Sequence, residues 1–224
     1  MLGSVGFQSS SHPIPLAIKG NIPQAPYSEF DNYLLVNTRN FQRKEMLVDE
    51  GEVTARFICV REGWLALSKS LSNGERQIID FALPGDVFVP CGGDGRRSAL
   101  RIEALTDGKI ATIAAPVCDM DKPAVPLLPD YIQNSVFAGR ARQAHRMLRL
   151  GKGSATMLLA FELLELCLRL EAGNGSIDRG EYTLPLTQQV LADYAGLTPV
   201  HVCRTLKRLS SAGVIDLNGN MSLR

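Results

Sequence analysis

The spacing of apolar residues near the C-terminal end of the chain predicts two short helices. Within each segment the apolar residues recur three or four positions apart, which places them on one face of a helix. The residues that share this spacing are Val190, Leu191, Tyr194 and Ala195 in the first segment, and Val202, Leu206 and Leu209 in the second. Each set is expected to form the buried stripe of its helix.

Residues at the ends of the two segments favour the same division. Thr187 and Thr198 are suitable N-caps, because a threonine hydroxyl accepts a hydrogen bond from an N–H of the first turn. Pro199 fits the first position of the second helix, where its missing N–H removes no bond. Gly196 can adopt the positive φ that ends a helix and turns the chain. Since Ala192 is small where the helices would touch, the pattern predicts a helix-turn-helix.

The other side of the second predicted helix carries cations and no acid. No aspartate or glutamate occurs between Thr198 and Ala212. The second helix of a helix-turn-helix lies in the major groove of DNA. Arg204 has the side chain for a bidentate contact to a guanine edge, and Val200 can touch a thymine methyl group. We therefore predict that this protein reads DNA.

Helix N-termini add contacts to the DNA backbone, because their N–H groups and hydroxyls hold phosphates. The residues predicted to contact DNA are Thr187, Gln189, Thr198, Pro199, Val200, His201, Arg204, Lys207 and Arg208. Two alternatives stay open. His201 could be a solvated surface histidine, and Arg204 with Arg208 could be an i, i+4 surface pair.

Between Phe41 and Ala115 the pattern changes to short apolar segments separated by turn residues. Ser72-Asn73-Gly74 and Leu83-Pro84-Gly85-Asp86 favour tight turns. Several short strands at this spacing are typical of a β-sandwich or barrel. The predicted strands are Ala55–Arg61, Trp64–Leu71, Arg76–Leu83, Asp86–Val89, Ala99–Leu105 and Lys109–Ala115.

A long polar helix is predicted over Asp130–Leu150, after a Pro-rich linker at Asp119–Pro129. A narrow heptad-like seam of this kind favours pairing with the same helix of a second copy. The residues assigned to the seam are Ile132, Val136, Gly139, Gln143, Met147 and Leu150. Arginines at 140, 142, 146 and 149 occupy the other positions. The alternative is a solvated helix that lies on its own domain.

Two further segments complete the C-terminal part. Ser154 can cap a helix that runs to about Glu171, with the apolar spacing of a core helix. A short strand at Tyr182–Leu184 precedes the helix-turn-helix. Val214–Leu217 and Met221–Leu223 flank an Asn-Gly turn, which predicts a hairpin. A helix-turn-helix followed by a hairpin is a winged arrangement.

Composition narrows the classes of function. The chain has 224 residues, 45% of them hydrophobic, and a formal net charge of +1, so DNA binding must come from a local patch. No run of about 18 apolar residues suggests a membrane span, and no signal peptide is recognised, so we expect a cytoplasmic protein. Five scattered cysteines do not suggest a disulfide framework. Three dispersed histidines do not suggest a metal site.

Enzymatic activity is not predicted. A jelly-roll (cupin-like) enzyme usually needs a His-rich metal site, and the β region lacks one. Neither a nucleophile elbow nor a P-loop occurs. A second alternative is a protein-docking module whose winged helix does not bind DNA, but the acid-free recognition helix argues against it.

The order of these elements, from about Phe41 to the C-terminus, resembles the Crp/Fnr superfamily of bacterial transcription factors. The resemblance is strongest in L-T-x-x-x-L-A-x-x-x-G-L-T-P-V-H-V-x-R-T-L, which begins at Leu186. It implies an α+β fold with an N-terminal β-roll (jelly-roll-like) sensor domain over 27–128, a dimerisation helix over 129–150 and a C-terminal winged helix-turn-helix domain over 151–224. Residues 1–26 would form a flexible arm, with a short helix expected around Tyr27–Leu35.

The same resemblance implies a homodimer that binds a palindromic operator on double-stranded DNA and acts on RNA polymerase. An effector- or redox-responsive β-roll would control it. In the best-known members a glutamate and an adjacent arginine stand where this chain has Val200 and Pro199, whereas Arg204 is kept. Arg204 and His201 are therefore expected to carry more of the specificity.

The effector of this β-roll is not identified by the resemblance. Members that bind cyclic AMP have a Gly-Glu pair followed by an Arg-Ser pair. Arg97 and Ser98 match the second pair and are the candidate effector-binding residues, but Val89-Pro90-Cys91 replaces the first, which disfavours cyclic AMP. No cysteine precedes Asn40, which disfavours an iron–sulfur cluster, and His12 as the one histidine of the β half disfavours haem. We predict no cofactor.

The glycine-rich stretch from Cys91 to Arg97 has two interpretations. Its backbone N–H groups beside two arginines could bind an anion. Alternatively, it is a flexible connection between strands with solvated arginines.

Overall fold

The computed structural model describes residues 37–54, 56–91, 96–114, 128–174, 182–216 and 221–223. Several predictions fall outside these ranges: the N-terminal arm, the short helix around Tyr27–Leu35, most of the Pro-rich linker, the glycine-rich part of the loop after Cys91, and the Asn-Gly turn of the wing.

The N-terminal half forms two four-stranded antiparallel sheets. The first has the strand order β1-β8-β3-β6 and the second the order β2-β7-β4-β5. The strands are β1 (Thr38–Phe41), β2 (Met46–Val48), β3 (Arg56–Glu62), β4 (Leu65–Ser70), β5 (Arg76–Ala82), β6 (Val87–Phe88), β7 (Arg101–Ala104) and β8 (Gly108–Ala114). All six predicted strands are confirmed to within two residues at each end.

Strands β1 and β2 were not predicted from the sequence. β1 is an edge strand, and Phe41 is its one buried residue. The sequence Thr-Arg-Asn-Phe therefore lacks the alternation of apolar and polar residues by which the other strands are recognised. β2 has only three residues and its pairing with β7 is irregular.

The turn between β3 and β4 shows why this chain needs a glycine there. Gly63 has a φ of 83°, in the left-handed region that side chains disfavour. A Cβ atom at Gly63 would lie 2.5 Å from the carbonyl oxygen of Asp107. The positive φ and the short distance both exclude a larger residue at Gly63. The turn matters because it joins β3 of the first sheet to β4 of the second.

Two apolar cores lie on opposite faces of the second sheet. The core inside the roll includes Ile58, Leu65, Leu67, Ile102 and Ile110. The other core joins the outer face of the sheet to the C-terminal helices, and its members include Trp64, Ile78, Phe81, Leu159, Leu163, Tyr194 and Leu206. The second sheet is thus covered on both faces, and the C-terminal part packs on the β-roll through a continuous core.

The C-terminal half contains four described helices and a small sheet. The helices are α1 (Leu128–Lys152), α2 (Ala155–Asn174), α3 (Gln188–Ala195) and α4 (Pro199–Ser211). The strands are β9 (Tyr182–Leu184), β10 (Ile215–Asp216) and β11 (Met221–Leu223), in the order β10-β11-β9. The predicted winged helix-turn-helix is confirmed, as is the N-cap Ser154, whose hydroxyl accepts from the N–H of Met157 at 3.2 Å.

The predicted seam of α1 is wrong at Ile132, whereas its members Gln143, Met147 and Leu150 are exposed. Ile132 is only 8% exposed and so is covered by its own chain, whereas Phe137 and Met147 are 55% and 75% exposed. An exposed stripe at spacings of four and three follows Gln133, Phe137, Arg140, Ala144 and Met147. Ile132 was assigned from hydropathy, which does not distinguish a contact within the chain from a contact with a second copy.

Three arginines of α1 face the rest of the chain, namely Arg142, Arg146 and Arg149, whereas Arg140 is exposed. Arg142 lies 3.1 Å from the carboxylate of Asp80, and Arg149 lies 3.0 Å from that of Glu165. Arg146 is 7% exposed. Carboxylates on β5 and α2 neutralise these arginines, and hydropathy along one helix cannot reveal such partners.

No helix in the described part of the chain has the length and apolar character to cross a membrane.

Candidate nucleic-acid interface

Two threonine caps and one glycine set the angle between α3 and α4. The Thr187 hydroxyl accepts a hydrogen bond from the N–H of Val190 at 3.2 Å, and Thr198 does the same for His201 at 3.3 Å. Gly196 ends α3 with a φ of 63°, and its N–H donates to the carbonyl of Ala192. The predicted caps, the turn and the position of Pro199 are all confirmed.

The inner face of α4 is buried as predicted. Val202, Leu206 and Leu209 are 0%, 2% and 7% exposed, and Thr205 joins them at 5%. These residues pack on α2 and α3. Because the buried stripe fixes the rotation of the helix, the residues between its members must face outward.

All nine residues predicted to contact DNA lie on the exposed surface of this unit. They fall on the start of α3 and on one side of α4. Val200, at the outer side of the first turn of α4, is 58% exposed. The fold therefore brings together one surface of hydroxyls, a carboxamide, an imidazole and three strong cations.

The cations of α4 have unused hydrogen-bond donors. Within the part of the chain that the structure describes, no group forms an ion pair or side-chain hydrogen bond with Arg204, Lys207 or Arg208. An i, i+4 pair between Arg204 and Arg208 has no acid to mediate it. A guanidinium in this state can offer two parallel N–H groups to one acceptor pair.

Gln189 is held in place by a chain of polar contacts. Its Nε2 donates to Asp193 Oδ1 at 2.7 Å, one turn along α3. The Asp193 carboxylate also lies 3.4 Å from Nε of Arg76 on β5. The Gln189 carboxamide is thus oriented by contacts that begin on the β-roll.

The two predicted effector residues lie elsewhere, on the connection between β6 and β7. Nη1 of Arg97 donates to the carbonyl of Gly51 at 2.9 Å. Ser98 is 4% exposed, and its hydroxyl donates to the carbonyl of Pro90 at 3.3 Å. Both side chains are hydrogen bonded to the backbone, so in this structure they hold neighbouring loops together.

A cluster that joins the helix-turn-helix to the β-roll was missed at the level of sequence. Nε2 of Gln77 on β5 donates to the carbonyls of Asp193 and Tyr194, at 2.7 and 3.0 Å. The guanidinium of Arg146 donates to the carbonyl of Tyr194 and to that of Ile79, and it lies 3.8 Å from the centre of the Tyr194 ring. The end of α3 is therefore bonded to both β5 and α1.

Asp80 is the acid at the centre of this cluster. Its two carboxylate oxygens accept from Arg142 and Arg169, at 3.1 and 3.2 Å. Asp80 stands beside Phe81 in a strand rich in apolar residues, and a buried acid requires a partner. An acid in an apolar strand indicates a buried charge. The sequence alone does not show which residues pair with it.

Glu162 and Tyr194 are ionisable groups buried next to this cluster. Burial raises the pKa of Glu162, which is 0% exposed and has Arg146 and Arg149 at 3.8 and 3.5 Å from its carboxylate. Burial also raises the pKa of Tyr194.

Among the described residues, no group of three or more His, Cys, Asp or Glu side chains could hold a metal ion.

The two halves of the chain match two family models. The Crp-like helix-turn-helix domain matches residues 142–224, and the cyclic nucleotide-binding domain matches residues 38–117. These ranges agree with the winged unit and the β-roll described above.

Relatives and a solved structure match most of the chain. The nitrogen fixation regulation protein FixK of Bradyrhizobium diazoefficiens is 34% identical over 210 residues, which cover 92% of this chain and 85% of that protein. The transcriptional activatory protein AadR of Rhodopseudomonas palustris is 31% identical and covers 94% and 86%. The structure of FixK2 from Bradyrhizobium japonicum superposes with a TM-score of 0.72 at 26% identity, over 84% of this chain and 91% of that one.

Proposed function

Since this chain belongs to the Crp/Fnr family of DNA-binding transcriptional regulators, we propose that it binds a palindromic operator as a homodimer with one copy of α4 in each half-site. The observation that carries the proposal is the outer face of α4, where Arg204, Lys207 and Arg208 are exposed and unpaired within the described residues. Two recognition helices related by a two-fold axis require half-sites about 34–36 Å apart, one turn of DNA.

Exposed apolar residues on α1 support the dimer. Phe137, Met147 and Leu148 are 55%, 75% and 64% exposed, an unusual share of large apolar groups for a free helix surface. A parallel copy of the same helix would cover them through knobs-into-holes packing. We thus assign residues 129–150 to dimerisation, residues 27–128 to the sensor and residues 151–224 to DNA binding.

Individual DNA contacts follow from the positions of the side chains. Arg204 would bind N7 and O6 of a guanine, and Val200 would contact a thymine methyl group. His201 would donate to a base or a phosphate. Hydroxyls of Thr187 and Thr198 and the carboxamide of Gln189 would face the backbone, where such groups fix register. Pro199, Lys207 and Arg208 complete the contact surface.

The β-roll would control this binding. We propose that it responds to an effector and that the DNA-bound dimer alters recruitment of RNA polymerase, in keeping with the regulators FixK and AadR. The contacts from Gln77 and Arg146 to the end of α3 are a direct route between the β-roll and the reading unit.

The proposal is tested by selecting duplexes from a random pool with the purified protein. We expect a palindrome, and we expect Arg204→Ala to weaken binding to it by about 1–3 kcal/mol, as for one bidentate base contact. Arg43→Ala, at an exposed arginine in the β1–β2 turn, is the matched control and should bind like the native protein. Equal affinity of Arg204→Ala and the native protein would refute the assignment of Arg204. Affinity without salt dependence would favour a protein-docking module instead.

A further inference from the structure

Asp193 is the one charged residue of α3, and it lies where a helix disfavours an acid. It falls in the last turn of α3, where the helix dipole is unfavourable for a carboxylate. Its side chain is only 18% exposed, so water screens the charge only in part. A carboxylate in this position requires compensation from outside its own helix.

The two oxygens of the Asp193 carboxylate contact two different groups. Oδ1 accepts a hydrogen bond from Nε2 of Gln189 at 2.7 Å, and Oδ2 lies 3.4 Å from Nε of Arg76 on β5. Nη1 of Arg76 also donates to the carboxylate of Glu103 on β7. An unbroken chain of polar contacts therefore runs from the β-roll to the helix-turn-helix, through Glu103, Arg76, Asp193 and Gln189.

The contact with Asp193 decides which end of the Gln189 amide is left for other partners. A carboxylate only accepts hydrogen bonds, so the nitrogen of the amide, and not its oxygen, must face Asp193. One N–H is used in this contact, and the second remains for an acceptor at the exposed start of α3. A phosphate oxygen of DNA is such an acceptor. Without the carboxylate, the amide of an exposed glutamine rotates among several orientations.

We propose that Arg76 and Asp193 are positioning residues for DNA binding, which act through Gln189 and do not touch the duplex. Arg76 neutralises Asp193 and orients its carboxylate, and the carboxylate holds the Gln189 amide with one N–H toward a phosphate. The inference rests on the proposed function only for the contact between Gln189 and DNA. A residue of the β-roll thereby sets the strength of a contact that α3 makes.

The orientation of Gln189 is tested without DNA, by nuclear magnetic relaxation of its side-chain amide in the full chain. We expect this amide to be ordered in the native chain and mobile in Arg76→Gln and in Asp193→Ala, while the backbone signals of α3 show that the helix stays folded. Arg101→Gln is the matched control, because Arg101 pairs with Asp49 elsewhere on the β-roll. An amide of Gln189 that stays ordered in both variants would overturn the proposal.

A double-mutant cycle in duplex affinity then tests the route from Arg76 to DNA. Arg76→Gln should weaken binding about threefold to tenfold, since each dimer loses two partly exposed ion pairs. In a chain that already carries Gln189→Ala, the same substitution should change affinity by less than about twofold, because the two residues act as one unit. Arg101→Gln should leave affinity unchanged in both chains.

Two outcomes of the cycle are decisive. If Arg76 only stabilised the fold or added positive charge, Arg76→Gln would weaken both chains equally, and that result would overturn the proposal. If the Gln189 amide becomes mobile in Arg76→Gln but the native chain binds no selected duplex, the proposed function alone is refuted.

Discussion

Helix α3 lies against strand β5, whereas α4 has one face exposed to solvent. The two helices therefore differ in which groups form hydrogen bonds with their polar atoms. Carbonyls of Asp193 and Tyr194 at the end of α3 receive hydrogen bonds from Gln77, and Tyr194 also receives one from Arg146. On α4, the described residues provide no partner for Arg204, Lys207 or Arg208. One helix is bonded to the β-roll, and the other presents free donors.

The difference separates stability from recognition. Where the helix-turn-helix meets the β-roll, ionic groups are buried and paired, so the loss of one partner leaves an uncompensated charge. On α4 the charges are solvated, and a substitution removes attraction to phosphate without exposing a buried group. Substitutions at the first surface should change unfolding, and those at the second should change DNA binding.

The largest effect is expected at Asp80, whose buried carboxylate pairs with the partly buried Arg142 and with the buried Arg169, which also pairs with Asp86. Asp80→Asn leaves Arg142 and Arg169 without that charge and should lower the free energy of unfolding by about 3–5 kcal/mol. Urea denaturation at fixed protein concentration measures it. Asp49→Asn removes a carboxylate from an exposed pair with Arg101 and should leave the unfolding midpoint unchanged. Equal effects of the two substitutions would contradict the distinction drawn here.

A pH-dependent effect is expected at Glu162. Because burial raises its pKa in the folded chain above the ordinary 4.5, the folded state binds this proton more tightly than the unfolded state. Between the two pKa values the folded state therefore holds more protons, and stability falls as pH rises. Glu162→Gln removes the titrating group. The free energy of unfolding of this variant, relative to that of the native chain, should therefore increase as pH rises above 4.5. Unfolding curves at a series of pH values measure this gain, and parallel pH profiles would refute it.

A smaller effect is expected at Thr198, which contributes both to folding and to the proposed DNA-binding surface. Its hydroxyl caps α4, and it lies on the exposed surface. Thr198→Ala should lower the free energy of unfolding by about 1 kcal/mol through loss of the cap. Thr198→Ser keeps a hydroxyl and should retain most of the stability in the same denaturation assay. If alanine and serine are equivalent, the cap does not contribute.

The smallest effect on folding is expected at Lys207. Lys207→Ala should change the free energy of unfolding by less than about 0.5 kcal/mol, as for other exposed positions. It should instead reduce the slope of log affinity against log salt by about 0.9 for each copy in the dimer. Fluorescence anisotropy with a labelled duplex at several salt concentrations measures the slope. An unchanged slope would place Lys207 outside the phosphate contacts.

Features that depend on neighbouring residues were predictable from the sequence. The caps Thr187 and Thr198, the turn at Gly196 and the buried stripe of α4 are each set by residues within a few positions of one another. Six strands of the β-roll were recognised for the same reason, since alternation and turn chemistry are local. The surface that is proposed to read DNA follows directly, because the buried stripe leaves only one outward face.

The tertiary structure decided which charges are buried, because those partners are distant in the chain. Gln77 and Asp193, for example, are 116 residues apart and joined by one hydrogen bond. The arginines of α1 look like solvated residues until β5 and α2 supply their carboxylates. Local sequence thus determined the helix that is proposed to read DNA, and long-range pairing of strands and charges determined how the helix-turn-helix is attached to the β-roll.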